Sequence, residues 1–402
     1  MLSTRTTLHM VSRMGFRSYC QRRLFHQMAR RCHGGIGHKP NLLQIAGLHT
    51  DLPSDTSPGP VDCDRVKDHQ RHIPVMAEEV MEHLQPKDNQ IYIDMTFGGG
   101  GHTKEILARA PDAKVICVDR DPSAIKIAKE LANRYSPGQV MTCHSKFSLI
   151  HTILPELGVM PGTVDGVLFD AGASSMQFDE GERGFALSVD GPLDMRMDQS
   201  CDNNEPTAAD VVNSFDEQEL GLIIKKYSGE KNAMKIAHAI VESRSAFGQI
   251  SRTQQLADII ASAFPDVLQY SKKDKLRRST HIATQTFMAL RIFVNNELNE
   301  LNNGLEVAHY YLRPGGCCVA LTFQSLEDRI VKRHFHDIDL DAKPNLSLRQ
   351  MRYKQASTTE LEQIIYKQWT PISKRILIPS SSECERNPRA RSAKLRAAVK
   401  SL

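Results

Sequence analysis

The sequence lacks the features that mark membrane spans and disulfide-rich or zinc-binding proteins. It contains no run of 18 or more apolar residues, so no transmembrane helix and no membrane partner are expected. The nine cysteines are odd in number and never spaced Cys-x-x-Cys, which argues against a disulfide framework or a zinc ribbon and favours a reducing compartment. The sequence offers no clustered set of metal ligands, and therefore no metal site is expected.

Acidic residues are absent from residues 1–50, which carry eight basic residues. Apolar residues interleave with the arginines, a pattern typical of amphipathic mitochondrial transit peptides. The alternative is a disordered basic arm that contacts RNA directly. We therefore predict that residues 1–50 are a transit peptide or disordered, that residues 51–70 (rich in Pro, Ser and Asp) are a linker, and that the protein resides in the mitochondrial matrix.

The rest of the chain has no excess of positive charge, since it carries 43 basic and 47 acidic residues. Binding to nucleic acid would therefore depend on local basic patches. Two such clusters occur, at residues 272–278 and in the tail at 386–400. Basic clusters attract phosphate without reading sequence, and an ordinary solvated surface is the alternative for each.

Short apolar runs alternate with helical patterns between residues 90 and 169. The strand-like runs are 90–95, 114–119, 139–144 and 164–169. The helical patterns between them are 102–110, 122–135 and 147–157. This alternation predicts parallel β-α-β units, and hence an α/β fold with a doubly wound, mostly parallel sheet.

The pattern changes after Asp170. Residues 207–300 are almost entirely helical in pattern, with one long helix expected over 284–300, and a strand-like run returns at 316–323. The simplest account is a helical insertion between the fourth and fifth strands of one sheet. We therefore predict a sheet domain formed by residues 71–177 and 301–402, and an inserted helical domain at 178–300.

Four consecutive glycines, Gly98 to Gly101, lie between the first strand and a helix. Glycines allow the backbone to approach a ligand closely, and in a doubly wound sheet this loop lies at the edge where ligands bind. A tight turn without a ligand is the alternative. The dinucleotide fingerprint requires glycine where Thr103 stands, and the loop has no P-loop lysine. A glycine-rich loop without phosphate-binding features suits S-adenosylmethionine.

Two acidic residues end and follow the second strand. Asp119 lies 21 residues after Gly98, where a carboxylate accepts hydrogen bonds from ribose hydroxyls in nucleoside-binding folds. Asp121 precedes Pro122 and is predicted to cap the next helix.

Together these motifs resemble the MraW-type (RsmH-type) family of small-subunit ribosomal RNA cytosine-N4 methyltransferases. The resemblance is carried by HIPV at 72–75, DMTFGGGGHT at 94–103, VDRDPSAI at 118–125, FDAGASSMQFD at 169–179, ERGFALSVDGPLDMRMD at 182–198, ALRIFVNNEL at 289–298, TFQSLEDRIVK at 322–332 and NPRARSAKLR at 387–396. It implies a class I methyltransferase sheet that binds S-adenosylmethionine, with an inserted helical substrate-recognition domain.

The resemblance also implies site residues. Cofactor contacts are expected at Gly100, Gly101, His102, Asp119, Phe147, Asp170 and Gln177. Phe147 would pack on the adenine, although a core aromatic is the alternative. Asp170 ends the fourth strand, where it is expected to be catalytic by holding the target amine or a cofactor group. The alternative for Asp170 is a turn-capping role.

Other positions leave alternatives open. Residues 182–198 have mixed charges and glycines, which is typical of a lid over the acceptor site or of internal ion pairing. Asn295 and Glu297 could reach the site from a helix, with solvation favoured for Glu297. Gln324 and Gln285 stand where the family usually has His and often has Arg.

The predicted function is S-adenosylmethionine-dependent N4-methylation of a cytidine in mitochondrial small-subunit (12S) ribosomal RNA, or in its pre-ribosomal particle, in support of ribosome assembly. No strand-end Pro-Cys motif occurs, so covalent attack on a ring carbon is not favoured. The alternative is a non-catalytic ribosome-assembly factor that retains the fold. Gln324 keeps that alternative open, whereas the intact glycine loop and Asp119 argue against it.

Overall fold

Four parallel strands carry the glycine loop and the two candidate aspartates. The computed structural model describes residues 74–199, 205–264, 272–273, 279–338, 368–373 and 375–401. The strands are β1 (Ile91–Asp94), β2 (Lys114–Asp119), β3 (Val140–His144) and β4 (Val164–Asp170). They confirm the four predicted strands to within one residue at each end.

Five further strands follow along the chain. They are β5 (Lys272–Lys273), β6 (Ser279–Thr280), β7 (Leu312–Thr322), β8 (Trp369–Pro371) and β9 (Lys394–Lys400). One seven-stranded sheet has the order β3-β2-β1-β4-β7-β9-β8, while β5 and β6 form a separate hairpin. In the large sheet β9 runs antiparallel to both of its neighbours, β7 and β8. The predicted α/β fold, with its mostly parallel sheet, is confirmed.

Helices connect the strands and fill the segment between β4 and β7. They are α1 (Ala77–Leu84), α2 (Gly101–Arg109), α3 (Pro122–Ala132), α4 (Ile150–Ile153), α5 (Ser175–Asp179), α6 (Ala208–Ser214), α7 (Glu217–Ser228), α8 (Ala233–Phe247), α9 (Thr253–Ser262), α10 (Thr284–Val294), α11 (Glu297–Tyr311), α12 (Ser325–Phe335) and α13 (Ser381–Arg386). Among the described residues, short 3₁₀ helices occur at Gly181–Arg183 and Pro388–Ser392. Within the described ranges, no helix has both the length and the apolar character needed to cross a membrane.

The helical segment interrupts a single sheet. Val167 of β4 pairs directly with Cys318 of β7, although the seven described α-helices α5 to α11 separate them in sequence. The insertion between the fourth and fifth strands is therefore as expected. Its exact domain boundaries stay a prediction, because Ile73–Leu402 form one compact unit.

The long helix predicted over 284–300 is wrong, because the segment contains two helices. α10 ends at Val294 and α11 begins after Asn296, whose φ of +51° lies in the left-handed region. Arg291 bridges the break through paired hydrogen bonds of 2.8 and 3.0 Å to Glu297. The expected solvation of Glu297 is also wrong, since its side chain is buried in this ion pair.

The basic tail is not simply a charged surface, because residues 394–400 form β9 inside the sheet. Leu395 and Ala397 are buried, and Arg396 pairs with Asp328 at 2.7 Å. Alanine has a low strand propensity, and charged residues dominate the composition of the tail. The sequence pattern therefore gave no clear indication of this strand. The predicted transit peptide, the linker at 51–70 and residues 274–278 of the other basic cluster lie outside the described residues.

Candidate active site

The glycine loop turns sharply from β1 into α2. Gly98 and Gly100 have φ values of +52° and +75°, which favour glycine over any residue with a Cβ. A Cβ on Gly100 would also lie 2.6 Å from Cζ of Phe97. Gly101 begins α2 against Pro74, where a Cβ would lie 3.0 Å away. The loop therefore needs glycine both for its conformation and for its packing.

Asp119 faces this loop from the end of β2. Its Oδ2 accepts a hydrogen bond from the Gly98 N–H at 2.9 Å, and its Oδ1 accepts one from the Asp121 N–H at 2.9 Å. Each oxygen retains acceptor capacity for a further donor. Burial raises the pKa of Asp119 to about 6. The carboxylate is thus fixed in place with room to accept two hydroxyl groups.

His102 and Asp170 meet at the carboxyl edge of the sheet. His102 Nε2 lies 3.7 Å from Asp170 Oδ2, and His102 is only 6% exposed. Both ring nitrogens of His102 and Oδ1 of Asp170 are buried without a hydrogen-bond partner in the described part of the chain. Buried polar atoms are normally hydrogen-bonded, so three unsatisfied atoms in one place mark a site for polar groups of a ligand.

Two residues that sequence reasoning left unassigned hold this pair. The backbone N–H of Asp170 donates to Thr96 Oγ1 at 2.6 Å. Asp94 is buried and accepts hydrogen bonds from the Thr96 N–H at 3.1 Å and from Thr103 Oγ1 at 2.8 Å. Burial raises the pKa of Asp94. The sequence signal for this contact was the Asp-x-Thr spacing, because an Asp side chain often accepts a hydrogen bond from the backbone N–H two residues later.

Phe147 follows β3 and is partly exposed at the same edge. Its ring meets that of Phe169 edge to face, with centroids 5.7 Å apart. Gly304 of α11 allows this packing, because a Cβ there would lie 2.9 Å from Phe169 and 3.1 Å from Phe147. Phe147 therefore has one side fixed by the core and remains accessible to a planar ligand.

Gln177 is buried and already has protein partners. Its Nε2 donates to Asp121 Oδ2 at 2.8 Å, and its Oε1 accepts from the Ser174 N–H at 3.1 Å as part of a capping box on α5. Asp121 also accepts from the Ser123 N–H at 2.9 Å, which confirms its predicted role as the N-cap of α3. Gln177 thus joins α5 to the end of β2, and its cofactor contact stays a prediction.

The charged residues of the 182–198 loop form ion pairs within the protein, one inside the loop and two with residues outside it. Arg183 is buried and donates to Asp121 at 2.9 Å, and Arg196 is paired with Asp194 at 2.7 Å. Asp198 lies 3.0 Å from Arg120, which keeps the pKa of that carboxyl below its ordinary value. The predicted internal ion pairing is confirmed, while the lid function stays a prediction.

Asn295, at the end of α10, holds the same loop through two hydrogen bonds. Its Oδ1 accepts from the Met197 N–H at 2.8 Å, and its Nδ2 donates to the carbonyl of Met195 at 2.7 Å. Asn295 therefore supports the loop rather than leaving its amide open toward a ligand.

Gln324 occupies the N-cap position of α12. The backbone N–H groups of Phe323 and Gln324 donate to Glu327 at 2.9 and 3.1 Å, and burial raises the pKa of Glu327 to about 7. Gln324 is thus a helix-capping residue here. Gln285 lies within the first turn of α10.

Comparison with known proteins identifies a family model and several relatives that match this chain. The model of the MraW methylase family matches residues 69–401. The chain is 53% identical over 337 residues to the 12S rRNA N(4)-cytidine methyltransferase METTL15 of Pongo abelii and 52% identical to that of Homo sapiens, covering 82% of each chain. It is 44% identical to the ribosomal RNA small subunit methyltransferase H of Parvibaculum lavamentivorans, over 81% of this chain and 88% of that one.

Proposed function

Because the chain belongs to the MraW methylase family, we propose that it transfers a methyl group from S-adenosylmethionine to N4 of a cytidine in small-subunit ribosomal RNA. The names of the relatives described above assign them to ribosomal RNA, and two of these names specify N4 of cytidine. The observation that carries the proposal is the trio of unsatisfied buried atoms on His102 and Asp170, beside the glycine loop.

The residues at this edge suit S-adenosylmethionine. Asp119 would accept hydrogen bonds from the two ribose hydroxyls, and Phe147 would pack against the adenine. The backbone of Gly100 and Gly101 and the side chain of His102 would contact the remainder. The bound cofactor supplies an electrophilic methyl group. The loop has no lysine for a phosphate, which agrees with a cofactor that has none.

Asp170 would act on the acceptor base. The exocyclic amine of cytosine is a weak nucleophile, because its lone pair is delocalised into the ring. Asp170 Oδ1, which lacks a partner in the described structure, would accept one N–H of this amine and orient the lone pair toward the methyl group. Such positioning is the main contribution a protein makes to an in-line displacement. Displacement leaves the new secondary amine with one proton to lose, and the adjacent carboxylate and imidazole are bases within reach.

The substrate is proposed to be the 12S ribosomal RNA of the mitochondrial small subunit, free or in a pre-ribosomal particle, and the location to be the mitochondrial matrix. The names of the METTL15 relatives and the basic, acid-free composition of residues 1–50 support this proposal. The target base must leave any stack to enter the site, so single-stranded or splayed RNA is the expected form.

Mapping N4-methylcytidine in mitochondrial small-subunit RNA, with and without the gene for this protein, tests the proposal. We expect one modified cytidine to disappear and to return when the wild-type chain is restored. Restoration by wild type but not by Asp170→Asn would place the chemistry at Asp170. An unchanged modification pattern, together with defective ribosome assembly, would instead favour a non-catalytic assembly factor.

A further inference from the structure

The start of β9 lies close to the candidate active site. Asp170 of β4 pairs in register with Leu321 of β7, and Leu321 pairs with Leu395 of β9, so the three residues form one row across the sheet. Neighbouring strands are spaced by about 4.8 Å, which puts Leu395 roughly 10 Å from Asp170. The 3₁₀ helix Pro388–Ser392, which directly precedes β9, therefore rises at the same edge as the site.

Three exposed arginines lie at the end of α13 and on this 3₁₀ helix, and we call them the arginine rim: Arg386, Arg389 and Arg391. Residues between them are anchored in the fold. Ala390 is fully buried, and the side chain of Asn387 accepts a hydrogen bond from the Arg389 N–H at 3.3 Å. The rim thus presents arginines from a backbone that is held by the core.

Two acidic groups near the rim have partners of their own. Glu383 accepts a hydrogen bond from the Met76 N–H at 2.5 Å, and Asp328 is paired with Arg396 at 2.7 Å. Arg386 and Arg391 form no ion pair with any described residue.

Arg389 is the rim residue with an acidic partner. It lies 3.3 Å from Asp179 of α5, and both side chains are at least half exposed. An exposed pair of this kind is weak, so a phosphate can displace the carboxylate. Glu180 and Glu182, which follow Asp179 in the chain, and Glu385 on α13 are also exposed.

We propose that the arginine rim binds backbone phosphates of the RNA that flanks the target cytidine. This inference rests on the proposed function and adds the surface that holds the substrate. A base that enters the site leaves its neighbouring phosphates at the surface, and the rim directly precedes the start of β9, where Leu395 lies roughly 10 Å from Asp170, two strand spacings away. The planar guanidinium group matches a phosphate with two parallel hydrogen bonds.

A matched pair of triple variants of the full-length chain tests the proposal. The rim variant carries Arg386→Gln, Arg389→Gln and Arg391→Gln. The control carries Lys87→Gln, Lys114→Gln and Arg134→Gln, which remove the same charge from exposed positions at the opposite, amino edge of the sheet. Binding to a single-stranded fragment of small-subunit RNA that contains the target cytidine is measured across a salt series, alongside cofactor affinity.

We expect the rim variant to lose about tenfold or more in RNA affinity at low salt, with cofactor affinity unchanged. The slope of log affinity against log salt should become shallower by about 2, since each phosphate contact to a single strand contributes about 0.7. The control should bind RNA like the wild type. A further variant, Asp179→Asn, should bind RNA more tightly because it frees Arg389. A residue with a merely structural role would not produce this gain.

Equal RNA affinity and equal salt slopes for the rim and control variants would overturn the inference. So would a rim variant that binds RNA normally yet fails to associate with ribosomal particles, which would indicate a protein partner. Failure of the proposed function is a separate result, because the wild-type chain would then leave the RNA fragment unmethylated whatever its affinity.

Discussion

Arg183 and Asp121 form a buried ion pair, with Nη2 and Oδ2 2.9 Å apart and side chains only 5% and 2% exposed. The pair connects the 182–198 loop to the residue whose N–H donates to Asp119. Replacing Arg183 by Gln would leave the Asp121 carboxylate buried without its counter-charge. We expect a loss of about 3–5 kcal/mol in the free energy of unfolding, measured by denaturant titration.

The matched control is Arg252→Gln. Arg252 pairs with Asp190 of the same loop at 2.6 Å, but both side chains are exposed, so the expected loss is below about 1 kcal/mol. Equal losses for the two variants would mean that the buried pair does not hold the loop.

Asp119→Ala should weaken S-adenosylmethionine binding without unfolding the protein. The lost hydrogen bonds between a charged acceptor and the ribose should cost about 1.5–3 kcal/mol of binding free energy, measured by calorimetry. Asp112→Ala, which removes an exposed carboxylate from the opposite edge of the sheet, is the control and should bind normally. Normal affinity in the Asp119 variant would remove this residue from the site.

The raised pKa of Asp119 predicts a pH dependence of cofactor affinity. Burial raises this pKa to about 6, and the ionised form is the better acceptor for the ribose hydroxyls. Affinity should therefore be constant above pH 6 and fall as the pH drops through about 6. In the unliganded protein, protonation of the same group favours the folded state, so its own contribution to stability rises as the pH falls from about 6 toward its ordinary value.

Calorimetric titrations at several pH values separate these opposite trends. Asp119→Asn does not titrate, so its weaker affinity should show no change near pH 6. A wild-type affinity that is flat between pH 5 and 7 would contradict the assignment, whatever the effect of pH on unfolding.

The sheet and the glycine loop could be predicted because their signals are local. Apolar runs fixed β1 to β4 to within one residue, and Asp121 before Pro122 identified a helix cap. Residues that act through distant partners gave weaker signals. Arg183 meets Asp121 across 62 positions, and Asn295 meets Met197 across 98, so the sequence left a lid and internal pairing equally open.

Two features of the structure were not evident from the sequence pattern. The apolar spacing of residues 284–300 indicated one helix, but Asn296 has a left-handed backbone conformation and divides the segment in two. In the tail at 386–400, the many charged residues obscured an alanine-containing strand. Because this strand lies within the sheet, only the first arginines of the tail remain exposed at the edge of the sheet. The backbone conformation of one residue decides the first structure, pairing with β7 and β8 decides the second, and composition reports neither.

Asp170→Asn in a single-turnover assay tests the central claim most directly. The assay combines the full-length chain, S-adenosylmethionine and a small-subunit RNA fragment, and it measures N4-methylcytidine alongside cofactor affinity. Asn keeps the size of the side chain but removes the charged acceptor for the amine. We expect the wild type to form N4-methylcytidine, and the variant to lose about 10²-fold or more in rate while its cofactor affinity changes much less. A variant with nearly full activity and normal affinity would contradict the assignment of Asp170, and a wild-type chain that forms no N4-methylcytidine would contradict the account itself.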